Sequence, residues 1–270
     1  MLITILASIA AGVVAVLATI AVERMGGLLG GVLASIPTTI VPAALGFYWS
    51  GEAFDEPLLA VPFGMLVNAL FLYTWRIFPP RLPFLGFWQR LGSMIMISLG
   101  IWAFFALSSV WLQSFYSSFF LSILITVIQV GLGAWACTHN PPAPKGNRRV
   151  GWQTLLMRGV LAGCAIGTAV ALSHLGALAG IASVFPAIFL TTMVSVWISQ
   201  GEAVQGGAVG PMMLGSSSVS VFALLVIPLF GVFSPFIAVV LAWFASVFLT
   251  SVPSALWLRK MLQQKNLSRD

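Results

Sequence analysis

Charge is what this chain has least of. Twelve Lys and Arg and six Asp and Glu make up 7% of 270 residues, too little to cover a water-soluble sphere. Cysteine is equally scarce: Cys137 and Cys164 are the only two, which excludes a disulfide framework or a thiolate metal cluster. The two histidines, His139 and His174, fall on opposite sides of the membrane in the threading below. No carboxylate pair and no Cys-x-x-Cys lies within an apolar run. A zinc site, a Ser-His-Asp arrangement or any other catalytic constellation is therefore unsupported, and neither metal nor cofactor is expected. A mid-membrane carboxylate for proton coupling is also missing; such a group is costly to bury and would stand out. The basic residues are scattered over short loops and form no polar face, so a nucleic-acid partner is not expected.

What is present is apolar: 60% of the residues are hydrophobic. A span needs roughly 20 apolar residues to cross a hydrocarbon core about 30 Å thick, so this length allows about nine or ten spans and no soluble domain. Apolar runs predict spans near 2–22, 28–50, 57–75, 91–111, 117–137, 155–173, 177–199, 205–229 and 234–257. The first has no basic residue ahead of it and reads as a retained span, not a cleaved leader. A turn is expected near Gln113 and a polar linker from His139 to Arg149. The partner implied throughout is the lipid bilayer.

Within this string one stretch occurs twice. Gly26 to Ala53 reads GGLLGGVLASIPTTIVPAALGFYWSGEA, and Gly176 to Ala203 reads GALAGIASVFPAIFLTTMVSVWISQGEA. Small residues, a mid-run proline, a Thr pair and a closing Gly-Glu-Ala recur in nearly the same order. Gly26 falls on Gly176 and Glu52 on Glu202 at one spacing, with Pro37 and Pro186 one residue off it. We read this as an internal duplication.

Positive charge sets the direction of the threading. With nine alternating spans, Arg24, the 76–90 loop, Lys145 to Arg158 and the tail from Arg259 all fall on one side, and that is every Lys and Arg in the chain. The positive-inside rule makes that side cytoplasmic, with the N-terminus outside and the C-terminus inside. A re-entrant loop at the two-proline stretch would split the charges, so crossing is favoured. The copy lies five spans after the original, and an odd offset inverts it. The fold class expected is all-α and polytopic, with about nine transmembrane helices in inverted-topology repeats (4+1+4), N-out and C-in. Residues 1–112 form the first repeat, 113–150 a connector span and cytoplasmic linker, and 151–270 the inverted second repeat with its basic tail. Inverted repeats are the recurrent architecture of secondary transporters, which bind substrate near the midplane on interrupted helices.

The candidate site residues follow from that architecture. Pro37 and Pro186 each remove a backbone donor in mid-span, and the freed carbonyls need protein or a water-lined cavity. Thr38, Thr39, Thr191 and Thr192 supply hydroxyls on the same helices. Asn68, expected to face Ser216, Ser217 and Ser218, is either packing glue or the lining of a path, and Ser217 is taken with it as a candidate. Glu52 and Glu202 close the matched helices on opposite faces; each is a solvated turn residue or a gating residue. The four-residue glycine pairs Gly26/Gly30, Gly27/Gly31, Gly159/Gly163/Gly167 and Gly206/Gly210 permit close helix packing within the monomer, and a homodimer face is the sharper alternative.

The stretch Gly176 to Gly215, with GALAGIASVFPA, then SQGEAVQGGAVGPMM and a Ser-rich span, resembles the small GlpM-type bacterial inner-membrane proteins. The resemblance implies a helical, multi-pass protein of the bacterial inner membrane, here a fused and duplicated pair of such units. It also implies an association with exopolysaccharide (alginate) production, and it carries no catalytic residue over. Two functions follow: transport of a small solute or lipid-linked intermediate between the broken helices, or a non-transporting scaffold for envelope polysaccharide production. An intramembrane enzyme ranks last, for want of a catalytic constellation.

Overall fold

In lipid the backbone has no water to bond, so a chain this apolar must satisfy its N–H and C=O groups internally, and helices do so within one segment. The computed structural model describes residues 2–25, 36–51, 53–139 and 151–267, and all regular structure among them is helical. In chain order the helices are α1 (Leu2–Met25), α2 (Ile40–Trp49), α3 (Asp55–Ile77), α4 (Phe87–Phe115), α5 (Phe119–Thr138) and α6 (Trp152–Ala171). They continue as α7 (Ala177–Ser183), α8 (Ala187–Gln200), α9 (Glu202–Gly215), α10 (Ser217–Phe230), α11 (Pro235–Ser246) and α12 (Val252–Leu267). Taking α7 with α8, α9 with α10, and α11 with α12 as far as Met261, seven helices among the described residues are long and apolar enough to cross a membrane. Leu2–Leu17 and Ile40–Trp49 are shorter apolar helices. This is the fold of a multi-pass helical membrane protein.

Burial ranks the helices. In α3, 78% of the most apolar window is buried, against 11% in α4. The first is therefore the central post and the second a peripheral helix, which turns Phe104, Leu107 and Trp111 outward. Small residues bring the interior helices close. Along α1 and α6, Gly12 faces Gly159, Ser8 faces Gly163 and Thr4 faces Gly167, so the two run antiparallel. A Cβ on Gly163 would come within 2.8 Å of the Ser8 carbonyl, and the Ser8 hydroxyl donates to Gly163 O at 2.8 Å. The Gly159/Gly163/Gly167 face is thus occupied within the monomer. By contrast α3 and α7 run parallel: Pro57 lies at Gly180, and Gly64 lies at Ile181 and Val184. The α9–α10 rod is flanked by antiparallel α5, with Ala136 at Gly210 and Gly133 at Leu214.

These contacts define two ends of the bundle. At one, Tyr48 stacks on Phe230 with centroids 4.7 Å apart, Trp49 meets Phe236 at 5.4 Å, and Ser122 donates to Leu59 O. At the other, Arg76 donates to Ala136 O at 2.8 Å and Arg90 pairs with Glu202.

Several elements differ from the sequence expectation. The seventh run is two helices because Pro186 breaks it, and the described part of the second run begins as a helix only after Pro37. The turn expected near Gln113 falls three residues later, at 116–118: α4 continues to Phe115 because no Gly or Pro interrupts it after Gly100, and the buried Gln113 amide bonds back to Ser109 O. A π-helical turn at Val247–Ser251 links α11 to α12. Gly26 to Gly31, Glu52 and most of the polar linker (140–149) lie outside the described residues.

Candidate functional site

Each proline centres a tight turn. The Thr38 amide donates to Ile36 O across Pro37, and the Ala187 amide donates to Phe185 O across Pro186, both at 2.7 Å. Pro37 and Pro186 are buried, while Thr38 and Thr39 are half-buried ahead of α2. Thr38 Oγ1 lies 3.4 Å from Ile36 O.

At Pro186 the freed backbone can be followed group by group. The missing proline N–H cannot serve the carbonyl of Ala182; the Phe185 amide does so at 3.1 Å, and the Val184 amide takes Ile181 O at 3.2 Å. Val184 O has turned out of the helix. It accepts from Asn68 Nδ2 of α3 at 2.7 Å, while Asn68 Oδ1 accepts from the Trp102 indole of α4 at 2.9 Å. The Phe185 ring meets Trp102 edge-on at 5.1 Å. Asn68 is 1% exposed, so its amide is the tie between three elements at the break.

The partners expected for Asn68 are elsewhere. Ser216, at the α9–α10 junction, accepts from Gln129 Nε2 of α5 at 3.2 Å, and Ser220 donates to Gln129 Oε1 at 2.7 Å. Ser217 is buried and donates to Leu214 O within its own segment. A Ser hydroxyl is satisfied by the preceding turn, whereas a Gln amide has to reach across. Gln129 was missed because a single glutamine in an apolar run carries no spacing.

Below the break, toward Glu202, polar groups from other helices meet α8 in order. Arg158 of α6, 5% exposed, donates through Nε to Thr191 Oγ1 at 3.2 Å and through Nη2 to Thr192 Oγ1 at 2.8 Å. Both hydroxyls also donate back, to Ala187 O and Ile188 O, which leaves their lone pairs to the guanidinium. Arg158 falls within the expected span 155–173 and groups with the linker charges only by side of the membrane. It lies in the second turn of α6, between Met157 and Gly159, and those apolar neighbours are the sequence signal of its burial.

At the next residue, Gln205 of α9 donates to Met193 Sδ at 2.9 Å, and one turn further the Trp75 ring of α3 packs on Trp197 with centroids 5.9 Å apart. The track ends at the α8–α9 corner, where Gly201 has φ +90° and Arg90 Nη1 donates to Glu202 Oε2 at 3.0 Å. Both ends of that ion pair are about a third exposed.

Asn68, Thr191, Thr192, Pro186 and Glu202 thus follow one helix, whereas Ser217 belongs to the neighbouring Gln129 region. Pro37, Thr38 and Thr39 precede α2, and Glu52 lies outside the described residues. Away from this track, an apolar groove of about 530 Å³ opens on the bundle surface between α1 and α6, with Gly12, Val13, Gly159 and Val160 in its walls. No cluster of His, Cys, Asp or Glu able to hold a metal occurs among the described residues. Comparison with family models, with curated proteins and with solved structures finds no match in any of the three.

Proposed function

We propose that the chain is a secondary transporter of a small solute or lipid-linked intermediate, built from inverted repeats. Its nine spans are the seven long helices together with the spans that contain α1 and α2. The halves are arranged 4+1+4, with the N-terminus outside and the C-terminus in the cytoplasm of a multi-pass cell-membrane protein. The observation that carries this reading is the convergence on the interrupted seventh span: side chains of α3, α6 and α9 meet α7–α8 in sequence from the Pro186 break to Glu202. Polar groups at such depth are costly and mark pathways, and broken helices in inverted repeats are where transporters bind substrate.

Packing supports the duplication. The first helices of the two halves, α1 and α6, are antiparallel neighbours, as an axis in the membrane plane requires of a pair related to each other. Contacts between successive spans also match: α1 with α2 as α6 with α7, and α3 with α4 as α10 with α11. Gly51 and Gly201, which open the two Gly-Glu-Ala corners, both have positive φ, +79° and +90°. The basic residues Arg76, Arg81 and Arg90 come from segments at the Glu202 end, which becomes the cytoplasmic face.

A second reading, the scaffold suggested by the GlpM-type resemblance, is favoured by the closure at Asn68 and at the Gln129–Ser216–Ser220 group, all buried and mutually bonded. A transporter in its occluded form has the same closure, and accessibility separates the two. In a variant lacking Cys137 and Cys164, a cysteine at position 68 should react with a membrane-impermeant maleimide from at least one side of the membrane. Silence from both sides, in vesicles of either orientation, would replace transport by the scaffold.

A further inference from the structure

Two buried polar atoms beside α8 have no hydrogen-bond partner: the indole Nε1 of Trp75, a donor, and Oε1 of Gln205, an acceptor. Both side chains are 0% exposed. Their side chains meet one face of α8, where Gln205 Nε2 holds Met193 and the Trp75 ring packs on Trp197, a single turn further along. Gln205 is fixed in this sense by its sulfur contact: N–H to thioether is attractive, whereas the flipped amide would set two acceptors together. Buried donors and acceptors left open are few in folded proteins, and two on residues that meet the same helix face call for an explanation.

We infer that Trp75 and Gln205 form a subsite for an uncharged hydroxylated solute. This rests on the transport reading and names its substrate class. A hydroxyl both accepts, as Trp75 Nε1 requires, and donates, as Gln205 Oε1 requires. A carboxylate or phosphate oxygen meets the indole but repels the amide oxygen, and an ammonium does the reverse. The Trp75–Trp197 pair offers apolar ring surface to the carbon skeleton of a polyol. The Arg90–Glu202 ion pair stands at the end of the same helix, so that opening it exposes the subsite to the cytoplasm. The neighbouring Gln200 Oε1 is also buried without a partner and offers a second hydroxyl an acceptor.

The test keeps both residues intact and places the probe one turn beyond Gln205, on the buried Val209. In inside-out vesicles carrying Val209→Cys without Cys137 and Cys164, modification by trimethylammonioethyl methanethiosulfonate is timed with glycerol, with equimolar acetate, and with neither. Glycerol should slow the reaction and acetate should not. Trp75→Phe and Gln205→Leu, each removing one hydrogen bond, should weaken that protection about fivefold apiece. Equal protection by acetate, or none by glycerol, overturns the subsite and leaves water as its occupant. A silent position 209 beside a reactive position 68 overturns the subsite alone. Silence at both positions overturns the transport reading as well.

Discussion

Pro37 and Pro186 centre the same three-residue turn, with an amide-to-carbonyl distance of 2.7 Å across each. The ring supplies the φ such a turn needs, and Pro186 has φ −75°. Fourteen residues after the first and fifteen after the second, a glycine with positive φ begins a Gly-Glu-Ala corner. Two segments of one chain therefore share a break and a corner at nearly the same separation. Local sequence repeats of this length are weak evidence for ancestry; matched backbone turns at both ends strengthen the case.

The Asn68 tie sets the first expectation. Asn68→Ala leaves Val184 O without its donor and the Trp102 indole without its acceptor, in a place where water does not substitute. The loss of stability should be about 1–2 kcal/mol, read as a lower unfolding midpoint in detergent. Asn68→Asp, which keeps an acceptor for Trp102 but faces Val184 O with another, should do no better. An unchanged midpoint for Asn68→Ala would mean the break holds itself.

Arg158 and the Thr pair should behave as one unit. Replacing Thr191 and Thr192 by Val keeps their volume and deprives a buried guanidinium of two acceptors, at a cost of about 1–3 kcal/mol. Arg158→Met on top of that change should cost less than it does alone. The coupling expected in this cycle is about 1–2 kcal/mol; additive effects would show that the hydroxyls merely cap their own helix.

Glu202→Gln should scarcely alter stability, since exposed ion pairs contribute only about 0–1 kcal/mol. Its effect should be on access: thiol modification at position 209 from the Glu202 side of the membrane should speed up. The exchanged pair Arg90→Glu with Glu202→Arg should restore the wild-type rate. Failure of the exchange to restore it would show that the corner is held by Gly201 and its neighbours and not by the charges.

At the α1–α6 contact, Gly163→Val places a branched side chain where even a Cβ meets the Ser8 carbonyl at 2.8 Å. The helices must separate, and overpacking of this kind costs about 1–3 kcal/mol. Gly131→Val, with nothing within 4 Å of the added Cβ, is the control and should be close to neutral. Equal effects would mean that α6 is free to move away from α1.

Much of the architecture was legible because a bilayer enforces it. Apolar runs of span length become helices, and proline at position 186 breaks one where the ring removes the donor. Side-chain partners were not legible. Asn68 was expected at the serines of the eighth span because both lie deep in matched runs, but rotation about α3 turns its amide to Val184 O, and Gln129 takes the serines. Depth along a helix can be counted in sequence; azimuth depends on which neighbour sits where, and the parallel contact of α3 with α7 arises from packing at Gly64 and Gly180. The partners of Arg158 were hidden for a related reason. A lone arginine near a span end has the same local pattern whether it snorkels to the headgroups or turns inward, and Thr191 and Thr192, more than thirty residues away, decide between the two.

The central claim is inversion of the two halves, and the two Gly-Glu-Ala corners report it most directly. Ala53 and Ala203, exposed at equivalent positions, can each carry the only cysteine of an otherwise cysteine-free chain. Labelling with a membrane-impermeant maleimide in intact cells and in inside-out vesicles places each corner. Inverted repeats require position 53 to react only from outside and position 203 only from the cytoplasm. Reaction of both from the same side would contradict the inversion and, with it, the transporter architecture.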